Sequence, residues 1–270
     1  MDLTRIVADW PGDPALVVLR GGSGPAEVVA SLGDLDAERP WASVSKLAVA
    51  LAAGAEVDAG RIRYDDEAGP AGSTVAHLLS HSSGLGLESS DLRRPVGTRR
   101  VYSNVGIDLV AQMLAPAEGP ARWLADRVLG PLGLVASSLV GRPAAGIRGS
   151  TRDLARLAAA FVDRSLLAPA THERIATAHL PALDGVVPGF GRFVPCPWGL
   201  GPELHGDKQH WMAGWPPGAL GHFGRSGALA LVDPVNRVAV VATSTVAFGA
   251  WAVAGWPSWL GQIRARALEA

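Results

Sequence analysis

The chain has 270 residues, 48% of them hydrophobic and 18% charged, with a formal net charge of −1. That length is enough to bury a true core in one large domain or a main domain with a small lobe, and the composition excludes a disordered chain. The near-neutral balance, with no run of basic residues, excludes a surface built for nucleic-acid phosphates, and a single cysteine, Cys196, excludes an internal disulfide.

Met1 to Trp10 carries acids early and no long apolar run, so it is unlike a secretory signal, and a cytoplasmic enzyme is expected. Ala15 to Leu19 and Val28 to Leu32 are apolar runs flanking Gly21-Gly22-Ser23-Gly24-Pro25, which predicts a hairpin. Val44 to Gly54 is rich in Ala, Leu and Val, and predicts a buried helix ended by Gly54. Helices are also predicted over Thr74 to His81 and Asn104 to Leu114. A third, Thr151 to Asp163, has Ser150 or Thr151 as N-cap and Leu154, Leu157, Ala158 and Phe161 at helical spacing. The last third changes period. Ala228 to Val232 and Arg237 to Thr243 read as strands joined by a turn at Asp233-Pro234-Val235-Asn236, and Gly249 to Ala267 returns to a helical pattern despite Pro257. The apolar stretch Val238 to Leu260 divides into strand and helix and is not expected to span a membrane. Strands at both ends and helices between them favour an α/β (α+β) arrangement, an antiparallel sheet gathered from both ends of the chain with a mainly helical insert.

Three short segments carry chemistry. Ser43-Val44-Ser45-Lys46 puts a serine three residues before a lysine at a helix start, with Cβ atoms about 5–6 Å apart on one face. A lysine lowered in pKa by burial accepts the serine proton, directly or through a relay, and the helix N-terminus offers N–H groups to developing charge. The following Leu47, Ala48 and Val49 make such burial plausible, and lysine is scarce: only Lys46 and Lys208 occur. Tyr102-Ser103-Asn104 is the second segment. A tyrosinate, or a tyrosine linked to a lysine, shuttles a proton, and an asparagine amide positions lysine and substrate. The chain has only two tyrosines and two asparagines, and one of each falls here. The third is Gly221-His222-Phe223-Gly224-Arg225-Ser226-Gly227, a glycine-rich edge strand whose backbone N–H groups can approach a substrate carbonyl.

Together these segments resemble the serine β-lactamase and penicillin-binding superfamily, particularly its class C β-lactamase-like and family VIII esterase branch. Ser43-x-x-Lys46 resembles the Ser-x-x-Lys motif, Tyr102-Ser103-Asn104 the Tyr-x-Asn motif, and His222-Phe223-Gly224 stands in place of Lys-Thr-Gly. His77 to Leu85, Gly130 to Leu134 and Ser150 to Ala155 resemble further segments of that branch, so the likeness runs over nearly the whole chain. The resemblance implies one β-lactamase-like domain over 1–270, with a sheet lobe of about 1–40 and 195–270 and a helical lobe of about 41–194. It implies acylation of Ser43, acid and base duty shared by Lys46 and Tyr102, and a substrate held by Asn104. His222, Phe223, Gly224 and Arg225 would line the strand side, with the N–H groups of Ser43 and Arg225 as oxyanion hole; no cofactor or metal is implied. His222 departs from the lysine that meets the penicillin carboxylate, which only an inward-turned Arg225 side chain would restore, and the departure shifts the expected substrate from β-lactams towards small esters or amides.

Seven histidines and nine tryptophans invite other assignments. His205-x4-His210 has no acidic partner at a known spacing, and His77-x3-His81 lacks further ligands, so both pairs are expected to be structural. The tryptophans between 198 and 259 are expected to pack core and lid rather than an acyl pocket. Asp65-Asp66-Glu67 reads as a solvated turn, and Cys196, without a cationic neighbour in sequence, as a packed thiol. The expectation is a serine acyl hydrolase acting on a small molecule, without nucleic-acid or membrane partners. The alternatives are a penicillin-recognising D,D-peptidase or weak β-lactamase, and a non-catalytic ligand-binding member of the fold.

Overall fold

Residues 1–269 are described by a computed structural model. Helix α1 (Leu3–Ile6) precedes the hairpin of β1 (Ala15–Arg20) and β2 (Glu27–Leu32); β3 (Arg39–Pro40) and a 3-10 turn (Ala42–Val44) then lead into α2 (Ser45–Asp58). The middle of the chain holds α3 (Val75–Leu79), α4 (Asn104–Leu114), α5 (Pro120–Leu124), β4 (Ser137–Leu139), β5 (Ile147–Gly149), α6 (Thr151–Asp163) and α7 (Pro169–Ala176). After the small hairpin β6 (Gly185–Val187) and β7 (Gly191–Phe193) come β8 (Glu203–Leu204), β9 (Leu220–Phe223), β10 (Leu229–Asp233), β11 (Val238–Thr243) and α8 (Ala250–Glu269).

The main sheet is antiparallel, in the order β2-β1-β11-β10-β9-β8, so the two ends of the chain meet where β1 pairs with β11. Strand periodicity splits its side chains between two apolar layers. Val17, Leu19, Ala230, Val232, Ala239 and Val241 point towards α2 and α6, while Leu16, Val18, Leu229, Leu231, Val238 and Val240 point towards α1 and α8. The turn between β10 and β11 forms as expected from its composition: Asp233 Oδ1 accepts the N–H groups of Val235 and Asn236 at 3.2 and 3.0 Å. Its other oxygen accepts Arg264 of α8 at 2.8 Å, which ties that turn to the covering helix.

Helix α2 is buried on nearly every side, which explains why its sequence is apolar without a stripe. Gly54 does not end it. A side chain there would meet Leu167 and Ile175, 2.6 and 3.1 Å from its first carbon, so the glycine lets α7 and its approach loop pack against the helix, which continues to Asp58. Helix α3 stops at Leu79, two residues short of the expected end, because His81 adopts φ +59°. Thr74 caps α3, Ser103 caps α4 and Ser150 caps α6, each by accepting the backbone N–H three residues on. Trp10, Trp251, Trp256 and Trp259 pack together on the α8 side, and with Trp198, Trp211 and Trp215 they make seven of the nine tryptophans part of that layer, packing core as expected. Among the described residues, no helix is long and apolar enough to cross a membrane.

Candidate active site

The 3-10 turn and α2 place Ser43 one turn before Lys46. Ala42 takes a left-handed φ of +47°, uncommon for a residue with a Cβ, and Trp41 is fully buried with its indole N–H on the Gly149 carbonyl at 3.2 Å. Ser45 Oγ accepts the Ile147 N–H at 3.0 Å, fixing the same turn to β5. Lys46 is fully buried. Its Nζ lies 3.1 Å from Ser43 Oγ, 2.7 Å from Asn104 Oδ1 and 2.9 Å from the Ala144 carbonyl oxygen. Burial is the main cause that lowers its pKa to about 7; the Asp108 carboxylate opposes the shift and the Arg142 guanidinium adds to it. A neutral amine has two hydrogens and one lone pair. Two carbonyl-type oxygens, Asn104 Oδ1 and Ala144 O, can take both hydrogens, which leaves the lone pair for the Ser43 hydroxyl.

The Lys46 amine sits in a closed ring of hydrogen bonds and ion pairs. Asn104 Nδ2 donates to Glu88 Oε1 at 2.6 Å, Glu88 Oε2 pairs with Arg142, and Arg142 Nε donates to Asp108 Oδ2 at 2.6 Å. Asp108 Oδ1 then accepts the Ala144 N–H at 2.8 Å, and the Ala144 carbonyl returns to Lys46. The ring fixes which way the Asn104 amide points. Glu88, Asp108 and Arg142 were not foreseen from the sequence. They stand at no fixed spacing from the motif residues, and only the short Asn104 to Asp108 step along α4 offered a signal.

Tyr102 reaches the same point from the other side. Burial raises its pKa above the ordinary phenol value, the Ser43 hydroxyl partly opposing, so the tyrosinate considered from the sequence gives way to a neutral phenol. Its Oη lies 3.3 Å from His222 Nε2, while His222 Nδ1 is 2.8 Å from the Phe223 carbonyl oxygen. A carbonyl only accepts, so Nδ1 carries the imidazole proton and Nε2 accepts from the Tyr102 hydroxyl. Burial and the nearby Lys46 lower the His222 pKa to about 3, which keeps the ring neutral. His222 therefore supplies no cation on the strand side. His81, in the segment resembling the family, holds the tyrosine in place: its Nδ1 accepts the Ser103 N–H at 3.2 Å, and its ring packs 4.5 Å from that of Tyr102.

Strand β9 brings the third segment to Ser43. Strand β8 pairs only with Gly221 and Leu220, so residues 222 to 224 run along an open edge. Gly224 passes so close to the turn that a Cβ would run into the Trp41 carbonyl and lie 3.2 Å from Ser43 N. Neither the Ser43 nor the Arg225 backbone N–H has an acceptor among the described residues, the arrangement an oxyanion hole needs. A cavity of about 460 Å³ opens here, with Ser43, Tyr102, Asn104 and His222 in its wall. Its apolar part comes from Val187, Pro188, Trp198, Phe223 and Phe248, and the exposed Arg225 stands at its rim. Trp198 is thus the one tryptophan in the wall of this cavity.

The remaining candidates lie elsewhere. His77 Nδ1 pairs with Thr74 Oγ1 at 2.9 Å. His210 does find an acid, Glu203, but in a buried ion cluster: Glu203 Oε1 lies 2.7 Å from His210 Nε2 and 2.6 Å from Lys208 Nζ. Cys196 is buried and its thiol is pushed up by burial; its carbonyl is one of four that hold the buried Arg100 guanidinium, with those of Ser80, His179 and Leu180.

The model of the family described as Beta-lactamase matches residues 36–140 and 134–257. A beta-lactamase from Mycobacterium bovis is 36% identical, with a TM-score of 0.93 over 98% of this chain and 99% of that one. Two more distant structures share the fold. The beta-lactamase/D-alanine carboxypeptidase from Yersinia pestis is 20% identical, with a TM-score of 0.76 over 98% of each chain. EstCE1, a hydrolase with promiscuous acyltransferase activity, is 18% identical, with a TM-score of 0.74 over 99% of this chain and 97% of that one. No curated protein matches the chain by sequence.

Proposed function

This chain belongs to the beta-lactamase family, and from that premise we propose that it hydrolyses small esters or amides through an acyl-enzyme on Ser43. The observation that carries the proposal is the buried Lys46 amine, brought to about 7 and held 3.1 Å from Ser43 Oγ with both its hydrogens engaged elsewhere. Lys46 takes the serine proton as Oγ attacks the carbonyl. The N–H groups of Ser43 and Arg225 receive the oxyanion, an interaction typically worth about 2.7–4 kcal/mol per donor. Tyr102 turns its hydroxyl proton from His222 to the leaving group. The Lys46 ammonium, 4.9 Å from its ring centre, stabilises the phenolate and then passes it the proton taken from Ser43, which restores the neutral amine and phenol for the second half-reaction. A water then attacks the acyl-enzyme by the same route, releasing acid and free Ser43. A small-molecule acyl substrate, a cytoplasmic setting, and the absence of nucleic-acid and membrane partners belong to the same proposal.

Esters are favoured over β-lactams because the strand side offers the neutral His222 where a fixed cation would meet a carboxylate. The second reading, β-lactam or D,D-peptide turnover, draws on Arg225 at the cavity rim and on the name of the Mycobacterium bovis relative. Turnover of a p-nitrophenyl ester and of a chromogenic cephalosporin, wild type against Ser43→Ala, separates them. Ester turnover alone selects the first, and cephalosporin turnover selects the second. Ser43→Ala should lower kcat on the order of a thousandfold or more, and Lys46→Arg nearly as much, since arginine stays protonated. Absence of both activities, with no labelling of Ser43 by a fluorophosphonate, would leave the ligand-binding alternative.

A further inference from the structure

A second cavity, of about 490 Å³, adjoins the active-site cavity: Leu87, Tyr102 and Pro188 line both. The floor of the second cavity is aliphatic, from Leu87, Val101, Val186 and Pro188, and Leu87 and Val186 are half exposed there. Its remaining wall is cationic: Arg93, Arg94, Arg99 and Arg100 line it, and no acid does.

These four guanidiniums differ in what they already hold. Arg100 is spent on four backbone carbonyls. Arg99 pairs with Asp184 at 3.2 Å, a carboxylate it shares with Arg192. Arg93 comes no closer than 4.0 Å to Asp91, at the limit of an ion pair. Arg94 has neither ion pair nor side-chain hydrogen bond among the described residues and is exposed at the opening. Two guanidiniums are therefore available in the wall of a cavity that is otherwise largely aliphatic and shares Tyr102 with the active-site cavity. Guanidinium meets carboxylate and phosphate through paired N–H donors, and an aliphatic cavity with such groups in its wall fits a chain with an anion at its tip.

We propose that this second cavity is the subsite for the leaving portion of the substrate, which carries a short apolar chain or ring ended by a carboxylate or phosphate held by Arg93 and Arg94. The side follows from Tyr102. If it protonates the leaving group, that group lies against it, and the space immediately beyond is where the rest of the leaving alcohol or amine must run. The inference rests on the hydrolase proposal for Ser43 and adds the chemistry of the product alcohol or amine.

Three butyrate esters test it: those of 3-(4-hydroxyphenyl)propionic acid, of its methyl ester, and of 4-hydroxybenzylphosphonate, with the released phenol quantified by chromatography. At low salt the acids should show KM at least about tenfold below the neutral methyl ester with similar kcat, a preference of about 1.4 kcal/mol. The larger gain, carboxylate or phosphonate, identifies the natural anion. The preference should shrink as salt screens the exposed arginines. In the Arg93→Ala/Arg94→Ala variant it should vanish through KM alone, while the neutral ester changes less than twofold. Turnover of all three esters without preference, or a preference that survives in the variant, overturns the subsite and leaves the hydrolase proposal standing. Turnover of none overturns both.

Discussion

Lys46 combines a fully buried position and a set of partners that tolerates either protonation state. As an ammonium it has three acceptors for three hydrogens; as an amine it keeps two and turns its lone pair to Ser43. On the proposed mechanism the neutral form of Lys46 is the base, so kcat/KM for an uncharged ester should fall about tenfold per pH unit below about 7 and level off above it. The ring makes this limb adjustable in sign. Glu88 raises the Lys46 pKa and Arg142 lowers it, so Glu88→Ala should move the acid limb to lower pH and Arg142→Ala to higher pH. pH–rate profiles of the two variants decide the matter, and shifts in the same direction would show that the ring does not set the charge on the amine. Glu88→Ala also releases the Asn104 amide, and Arg142→Ala frees the Glu88 carboxylate that holds it, so both should lower kcat above the limb, Glu88→Ala the more.

At the scale of elements, the site is a meeting of one turn, one loop and one strand, and the spacing between them is set by a missing side chain. Strand β9 can lie against the 3-10 turn before α2 only because residue 224 is glycine. Gly224→Ala should displace the strand from Ser43, separate the two proposed oxyanion donors and lower kcat by roughly 10²-fold or more, with stability measured by thermal melting little changed. An active Gly224→Ala enzyme would mean that β9 does not contribute to the oxyanion hole. Gly54 plays the corresponding part on the far side of α2, where it admits Leu167 and Ile175 instead of ending the helix. Both glycines are read correctly only from what lies opposite them.

Across the molecule, two apolar layers on the faces of one sheet hold both ends of the chain together, and a buried ion cluster pins the short strand at its edge. Glu203, on β8, receives Lys208, His210 and, at 2.9 Å, the Trp211 indole N–H, all of them buried. Lys208 Nζ in turn stands 5.7 Å from the ring of Trp198, which lines the active-site cavity. Glu203→Ala strands a buried lysine and should cost about 3–5 kcal/mol in chemical denaturation. A Glu203→Leu/Lys208→Met double variant should recover the part of that loss that comes from the stranded charge, since an apolar pair needs no counter-charge, while the buried N–H groups of His210 and Trp211 stay unpaired. Equal losses in the single and double variants would show that the cluster acts by shape and not by charge.

The elements with a clear period were legible in the sequence. The hairpin at each end, α4, α6 and α8 follow from spacing and caps, and the antiparallel sheet from both chain ends follows from their order. Ser43, Lys46, Tyr102, Asn104 and the 222–225 strand were legible too, because each lies in a short segment whose residues are neighbours along the chain. Glu88, Asp108, Arg142 and Ala144 were not, nor was the protonation of His222 and Tyr102. Their roles depend on distances between segments far apart in sequence and on the water excluded when those segments pack. The sequence by itself determined which groups could do the chemistry. Only the tertiary structure decided their charge and orientation, because both are set by burial and by partners that the chain brings together when it folds.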